Sequence, residues 1–230
     1  MKKYKYLVAQ GCSFTQGGSM YKDEDKQQLL FEKNRFSKKL SDKLNIEEIN
    51  IAGGGRSNDR IFRELFYWVE ENEEKVKDSL FVVGLTDSFR KDLYSLYKDK
   101  YIISSEIFQD IGSIAEDCNA SKKEVEQWRN FELKYLIDED EIEKKIIRDC
   151  VLFDSLVNGN VVFLNAWRRS EVVHPKLKFV LLECDEYKGY NWSNFICKSK
   201  RTGYHTDHPN ESQHHQMADI VYKFVNENFK

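Results

Sequence analysis

Proline is almost missing from this chain, with two in 230 residues. That scarcity excludes a Pro-rich spacer or polyproline segment. Paired cysteines are missing too. The five thiols at 12, 118, 150, 184 and 197 form no Cys-x-x-Cys, so neither a zinc ribbon nor a disulfide frame is expected. Charge of one sign is also lacking. Against 36 basic residues stand 39 acidic ones, a net −3, which gives no field to draw nucleic acid or an anionic membrane. No apolar run nears membrane-spanning length. The apolar run after the basic Met1-Lys2-Lys3 is only about five residues, short of a signal-peptide core. Scattered thiols and these absences together make a cytoplasmic protein the expectation. No repeat or low-complexity tract interrupts it.

What is present is a globular mixture, 40% hydrophobic and 33% charged, long enough for one domain over residues 1–230 with a real core and one insertion. The first half alternates strand and helix. Tyr4 to Gln10 reads as a short strand ending in a glycine turn. Leu29, Leu30, Phe36, Leu40 and Leu44 mark one face of a helix ending near Asn45, at helical spacing. Ile46 to Ala52 is a second strand, stopped by Gly53-Gly54-Gly55. Ser57 can cap the next helix, whose apolar spacing is Ile61, Leu65, Trp68 and Val69. Leu80 to Leu85 is a continuous apolar run of the kind buried in parallel sheets. Strands joined by such helices predict an α/β fold, a three-layer α/β/α sandwich around a mostly parallel sheet.

Beyond Thr86 the periodicity weakens. Residues 88–130 are expected to form an insertion over one sheet edge. A long helix is expected from Glu132 to Val157, with Ile142, Ile146, Cys150 and Phe153 inward, and Val161 to Leu164 reads as a fourth strand. Phe179 to Leu182 fits either a fifth strand or a loop. The last helix is expected from Ser212 to Asn228, with Ile220, Val221 and Phe224 inward.

Ligands on such a sheet sit beyond the carboxyl ends of the strands. Ser13, Gly55 and Thr86 each follow a strand, so all three should meet at one rim. Acyl transfer there needs a nucleophile, a base and donors for the developing oxyanion. Ser13 would be the nucleophile and His208 its base and acid. The N–H groups of Ser13 and Gly55, with the Thr86 hydroxyl, would form the oxyanion hole.

These residues carry a family resemblance. Gly11-Cys12-Ser13-Phe14-Thr15, then Asn50 with Gly55 five positions later, then Gly84-Leu85-Thr86-Asp87, and finally Asp207-His208-Pro209 follow the order of the four blocks of the SGNH (GDSL-like) hydrolases. The chain resembles that family in a variant whose first block reads Gly-Cys-Ser-Phe-Thr. The resemblance implies a flavodoxin-like sandwich and a serine nucleophile at Ser13. It also implies no cofactor or metal, and small acyl esters as substrates, O-acetyl carbohydrates among them. Two positions depart from it. Thr86 stands where the family has an oxyanion-hole Asn, and the loss of one such donor typically lowers the rate ~10²–10³-fold. His205 stands where the family has the triad Asp. Asp207, adjoining His208, is the candidate third catalytic residue, although neighbouring side chains on an extended segment tend to point apart. The alternatives are a Ser–His dyad or a carboxylate from elsewhere.

Other readings compete. The departures fit a glycan- or nucleotide-sugar-binding protein that has lost efficient chemistry, and the same Ser–His pair would serve an acyltransferase. His205, Asp207, His208, His214 and His215 invite a metal site, although His214 and His215 read more simply as surface residues of the last helix's first turn. Arg56, Asn58 and Arg90 lie near the rim as candidate substrate-binding residues. With Arg60, the arginines would suit an anionic or sugar-linked ligand, or else form a solvated, salt-paired face. Tyr94, Tyr97, Tyr101 and Phe108 would make either a sugar-stacking lid or the insertion's own small core.

Overall fold

A computed structural model of the chain describes residues 4–18, 30–104, 111–135, 138–166, 172–198 and 208–229. In chain order, β1 (Tyr6–Gly11) leads into the one-turn helix α1 (Ser13–Gln16), followed by α2 (Phe36–Leu44), β2 (Glu47–Asn50) and α3 (Asn58–Glu71). A further turn, α4 (Glu73–Val76), precedes β3 (Ser79–Leu85). The hairpin β4 (Lys91–Ser95) and β5 (Lys100–Ser104) comes next, then α5 (Ile111–Cys118), α6 (Lys122–Tyr135) and α7 (Glu139–Leu156). The chain closes with β6 (Val161–Asn165), the hairpin β7 (Leu182–Cys184) and β8 (Tyr187–Gly189), α8 (Trp192–Lys198) and α9 (Glu211–Asn228).

The four main strands lie in the order β2-β1-β3-β6, every pairing parallel. Alternation along each strand builds two cores. Leu7, Leu80, Val82, Val162 and Leu164 face one side, against Phe36 and Leu40 of α2 and Met217, Val221 and Val225 of α9. Val8, Phe81, Val83, Val161 and Phe163 face the other, against Ile61 and Leu65 of α3 and Ile146, Cys150 and Phe153 of α7. All seven residues of β3 are buried. Each fully buried Leu, Val or Phe is worth about 1.5–3 kcal/mol, so β3 is the spine of the sheet. The result is an α/β/α sandwich, as the apolar pattern predicts.

From β1 the chain steps to β2 on one flank, then crosses to β3 on the other. That reversal makes the gap between β1 and β3 the topological switch point, where crevices open beyond the strand ends.

Two local expectations are corrected, and two others are refined. The helix expected up to Asn45 breaks at Arg35, whose backbone is extended and whose guanidinium forks onto Glu48 at 2.9 and 2.8 Å; Leu29 lies outside the described residues. Its C-terminus is as expected, with Asn45 in the left-handed conformation at φ 53°. The helix expected from Glu132 is two helices. Asp138 caps the second by accepting the Glu141 N–H, and its acidic first turn suits the positive end of the helix dipole. Of the two readings open for Phe179 to Leu182, each holds in part: Phe179 makes a single parallel bridge to Phe163, and Leu182 begins β7. The last helix's expected inward residues all pack on the core, Val221 buried and Ile220 and Phe224 partly covered.

The segment after β3 is its own layer. Leu93, Ile111, Ile114, Ala115, Cys118, Ala120 and Val125 make a small aliphatic cluster. Tyr94, Tyr97 and Tyr101 stay largely exposed around it, and Phe108 lies outside the described residues.

Candidate active site

Gly11 ends β1 directly opposite Gly84 of β3. A Cβ on either glycine would run into Thr15 Oγ1, and one on Gly11 would also come within 2.9 Å of the Gly84 carbonyl. The missing side chains therefore let α1 settle directly on the ends of both strands. Cys12 is extended, and its carbonyl accepts the N–H groups of Thr15 and Gln16 at 3.0 Å. Gly17 closes the turn in the left-handed conformation, φ 88°. Ser13 is thus the first residue of a helical turn, a position whose N–H has no intrahelical acceptor.

The final helix supplies the base. Asn210 and Gln213 form a reciprocal capping box, each side chain bonding the other's backbone N–H at 2.9 Å. This fixes the chain just before α9, behind the buried Pro209. His208 then projects back over α1, its ring against Phe14 with centroids 5.1 Å apart. Its Nε2 lies 2.8 Å from Ser13 Oγ, across 195 positions of sequence. With the hydroxyl donating to Nε2, the ring proton belongs on Nδ1. Asp207 and His205 lie outside the described residues.

Behind the pair is an aromatic box. Trp192 meets Phe14 at 5.6 Å, Phe36 at 5.2 Å and His214 at 5.3 Å, each edge-on. His214, expected on the surface, is fully buried. Its Nδ1 accepts the Phe36 N–H at 3.2 Å, satisfying one orphan donor at the start of α2. Burial, and then the neighbouring His215 and His208, hold its pKa down at about 3, so it stays neutral. Among the described residues, no three potential metal-ligating side chains converge.

The glycine loop after β2 docks against the same rim. The Ile51 N–H bonds the Ala9 carbonyl at 2.9 Å and the Gly53 N–H bonds the Gly11 carbonyl at 3.1 Å. Gly55 is left-handed, φ 69°, which favours glycine. Asn50 is a tie between segments. Its amide donates to the Thr15 carbonyl and Ser37 Oγ, and its oxygen accepts the Ala52 N–H.

Two candidate binding residues lie beneath this rim rather than on it. Arg56 stacks on Gly53 and donates to Gln10 Oε1 at 2.8 Å and to the Ile51 carbonyl, while pairing with Glu64 at 2.6 Å. Burial lowers its pKa, partly offset by Glu64. Gln10 completes the network by donating to Glu64 at 3.0 Å, and Arg60 also pairs with Glu64. Asn58 is buried and brackets the end of β3. Its oxygen accepts the Thr86 N–H at 2.9 Å and its amide donates to the Thr86 carbonyl at 3.1 Å. Arg90 differs, because its guanidinium Nη1 donates to Thr86 Oγ1 at 2.9 Å.

The structure therefore hydrogen-bonds Ser13 to His208 and puts Gly55 and Thr86 on the loops following the flanking strands. Sequence reasoning passed over Gln10, Glu64, Thr15, Trp192 and the buried state of His214. Only Gln10 gave a signal, as a polar residue ending an apolar strand.

No family model and no curated protein matches this chain. Solved structures do. The chain is similar to the psychrotrophic esterase EstA from Pseudoalteromonas sp., at TM-score 0.50 and 10% identity over 97% of both chains. It is also similar to a member of the lipolytic protein G-D-S-L family from Veillonella parvula, at TM-score 0.49 and 12% identity over 98% of both chains. What is shared is the fold. The mostly parallel sheet between helical layers is the architecture of the Pseudoalteromonas esterase as well.

Proposed function

We propose that this chain is a serine ester hydrolase of the SGNH (GDSL-like) type, acting on small acyl esters through an acyl-enzyme. The observation that carries the reading is the 2.8 Å contact between Ser13 Oγ and His208 Nε2. His208 takes the hydroxyl proton as Ser13 Oγ attacks the ester carbonyl carbon. The carbonyl π electrons move to the oxygen, where the N–H groups of Ser13 and Gly55 and the hydroxyl of Thr86 receive the charge. Collapse expels the alcohol, which takes the proton from His208, and water repeats the sequence to release the acid.

The order of the four blocks and the likeness of fold support the family reading. Free thiols at Cys12, Cys118, Cys150 and Cys184 are in keeping with a reducing, cytoplasmic setting. No helix among the described residues is long and apolar enough to cross a membrane. O-acetylated carbohydrates are the substrate class to try first, with the exposed tyrosines after β3 as stacking surfaces for sugar rings.

Ser13→Ala is expected to abolish hydrolysis of p-nitrophenyl acetate while leaving the melting temperature within a degree or two of the parent. A variant that turned over at the parental rate would refute the assignment.

A further inference from the structure

The glycine loop after β2 and the turn that carries Ser13 are joined through one charged side chain. We infer that Arg56 is a positioning residue, whose guanidinium locks the glycine loop to the end of β1 and so fixes the Ser13 turn. This inference rests on the esterase reading above and moves Arg56 from ligand contact to framework of that site.

One nitrogen ties three segments. Arg56 Nη1 donates to Gln10 Oε1 of β1 at 2.8 Å and to the Ile51 carbonyl just after β2, and it pairs with Glu64 of α3 at 2.6 Å. Gln10 Oε1 also accepts the Gly11 N–H at 2.8 Å, so a single side chain separates the guanidinium from the backbone leading into Ser13. The rest of the guanidinium covers Gly53. A Cβ there would come within 2.5 Å of Nε, 2.8 Å of Cζ and 2.9 Å of Nη2, the three atoms nearest to it. Gly53 is not among the left-handed glycines. Its missing side chain therefore serves this close approach rather than the backbone angle.

The loop so held meets the serine turn at three places. The Gly53 N–H bonds the Gly11 carbonyl at 3.1 Å, and the Asn50 amide bonds the Thr15 carbonyl at 3.2 Å. A Cβ on Gly54 would lie 3.5 Å from Gln16 Oε1 of α1. A shift of the loop is therefore passed to the turn that begins at Ser13. The charge is also answered from within the chain. Nη1 is engaged by Gln10, Ile51 and Glu64, and the side chain is only 17% exposed, so little of the cation is left to offer a ligand.

The test uses the clash that Gly53 avoids. Arg56→Ala is expected to lower kcat on p-nitrophenyl acetate about tenfold, where a misplacement of about 1 Å costs ~10²-fold, with KM within twofold. Glu64 keeps Arg60 and Gln10, so no charge is stranded and the variant should fold. Gly53→Ala should lose a similar factor, because its methyl group pushes the guanidinium off its acceptors. In the Arg56→Ala background that methyl group has no guanidinium to displace. There Gly53→Ala should change kcat less than twofold, the non-additivity of two residues acting through one contact. Arg56→Lys keeps a charged donor without the planar fork and should recover most of the loss. An equal loss from Gly53→Ala in both backgrounds would overturn the inference. So would parental kcat in either Arg56→Ala or Gly53→Ala, which keeps the test open where one variant fails to fold. A rise in KM at constant kcat would overturn it too and return Arg56 to a ligand contact. If Ser13→Ala itself remains active, the esterase reading fails and the inference with it. If Ser13→Ala is dead and Arg56→Ala is fully active, only the inference fails.

Discussion

The switch point and the layer after β3 are adjacent in sequence but are built on opposite principles. At the switch point, backbone approaches backbone. Gly11 and Gly84 give up their side chains so that Thr15 can sit on both strands. The polar groups there are cross-tied over long sequence distances: Gln10 with Glu64, Asn50 with Thr15, Asn58 with Thr86, His214 with Phe36. After β3, a handful of aliphatic side chains packs together. Aromatic residues are left in water, with Tyr97 62% and Phe131 54% exposed. Leu93, Tyr94, Ile114, Val125 and Trp128 line a cavity of about 370 Å³ there. Arg63 of α3 fastens this layer to the sandwich, pairing with Asp92 at 3.3 Å and holding its guanidinium 4.3 Å over the Tyr101 ring. The first region leaves little room for displacement, which is what the proposed proton transfer and oxyanion hole would require. The second is held by fewer such ties, which under the proposed esterase reading would suit a surface that selects substrates.

Substitution in each region should expose that difference. The largest effect is expected from Gly11→Ala. The new Cβ meets Thr15 and the Gly84 backbone at once, so overpacking should cost about 1–3 kcal/mol. The displaced serine should cost on the order of 10²-fold in kcat. Thermal melting and ester hydrolysis check both; parental values would mean the strand ends are not closely fitted. The smaller effect is expected from Val125→Ala, in the cluster after β3. Removing two methyl groups at this buried site should cost about 1–2 kcal/mol with hydrolysis of a small ester within twofold of the parent. A tenfold loss of turnover there would erase the contrast and make that layer part of the reacting site.

What was legible in the sequence follows the same division. Alternation and apolar runs gave the sheet and its two helical layers, because burial on both faces of β3 or one face of α7 leaves a periodic trace. Ser13, Gly55 and Thr86 were legible because the loops after parallel strands must share an edge; His208 was legible as a histidine just before the last helix, in the His-Pro step of the family pattern. Local overrides were hidden. The break at Arg35 depends on Glu48, a partner on β2, and Phe179 pairs with Phe163 for a single bridge. Arg56 and Asn58 looked like ligand contacts because polar residues after a glycine loop usually are exposed; the half-buried Arg56 and the buried Asn58 are engaged by partners many residues away. His214 looked like a surface residue because nothing adjacent in the chain announces Phe36 and Trp192.

The account stands on an activated serine, and an irreversible phosphonylating probe reads activation directly. Incubation of the full chain with a fluorophosphonate, followed by peptide mass spectrometry, should place one adduct on Ser13. Labelling of the His208→Ala variant should be slower by at least two orders of magnitude. An unlabelled Ser13 in the folded parent, or equal labelling with and without the imidazole, would contradict the account.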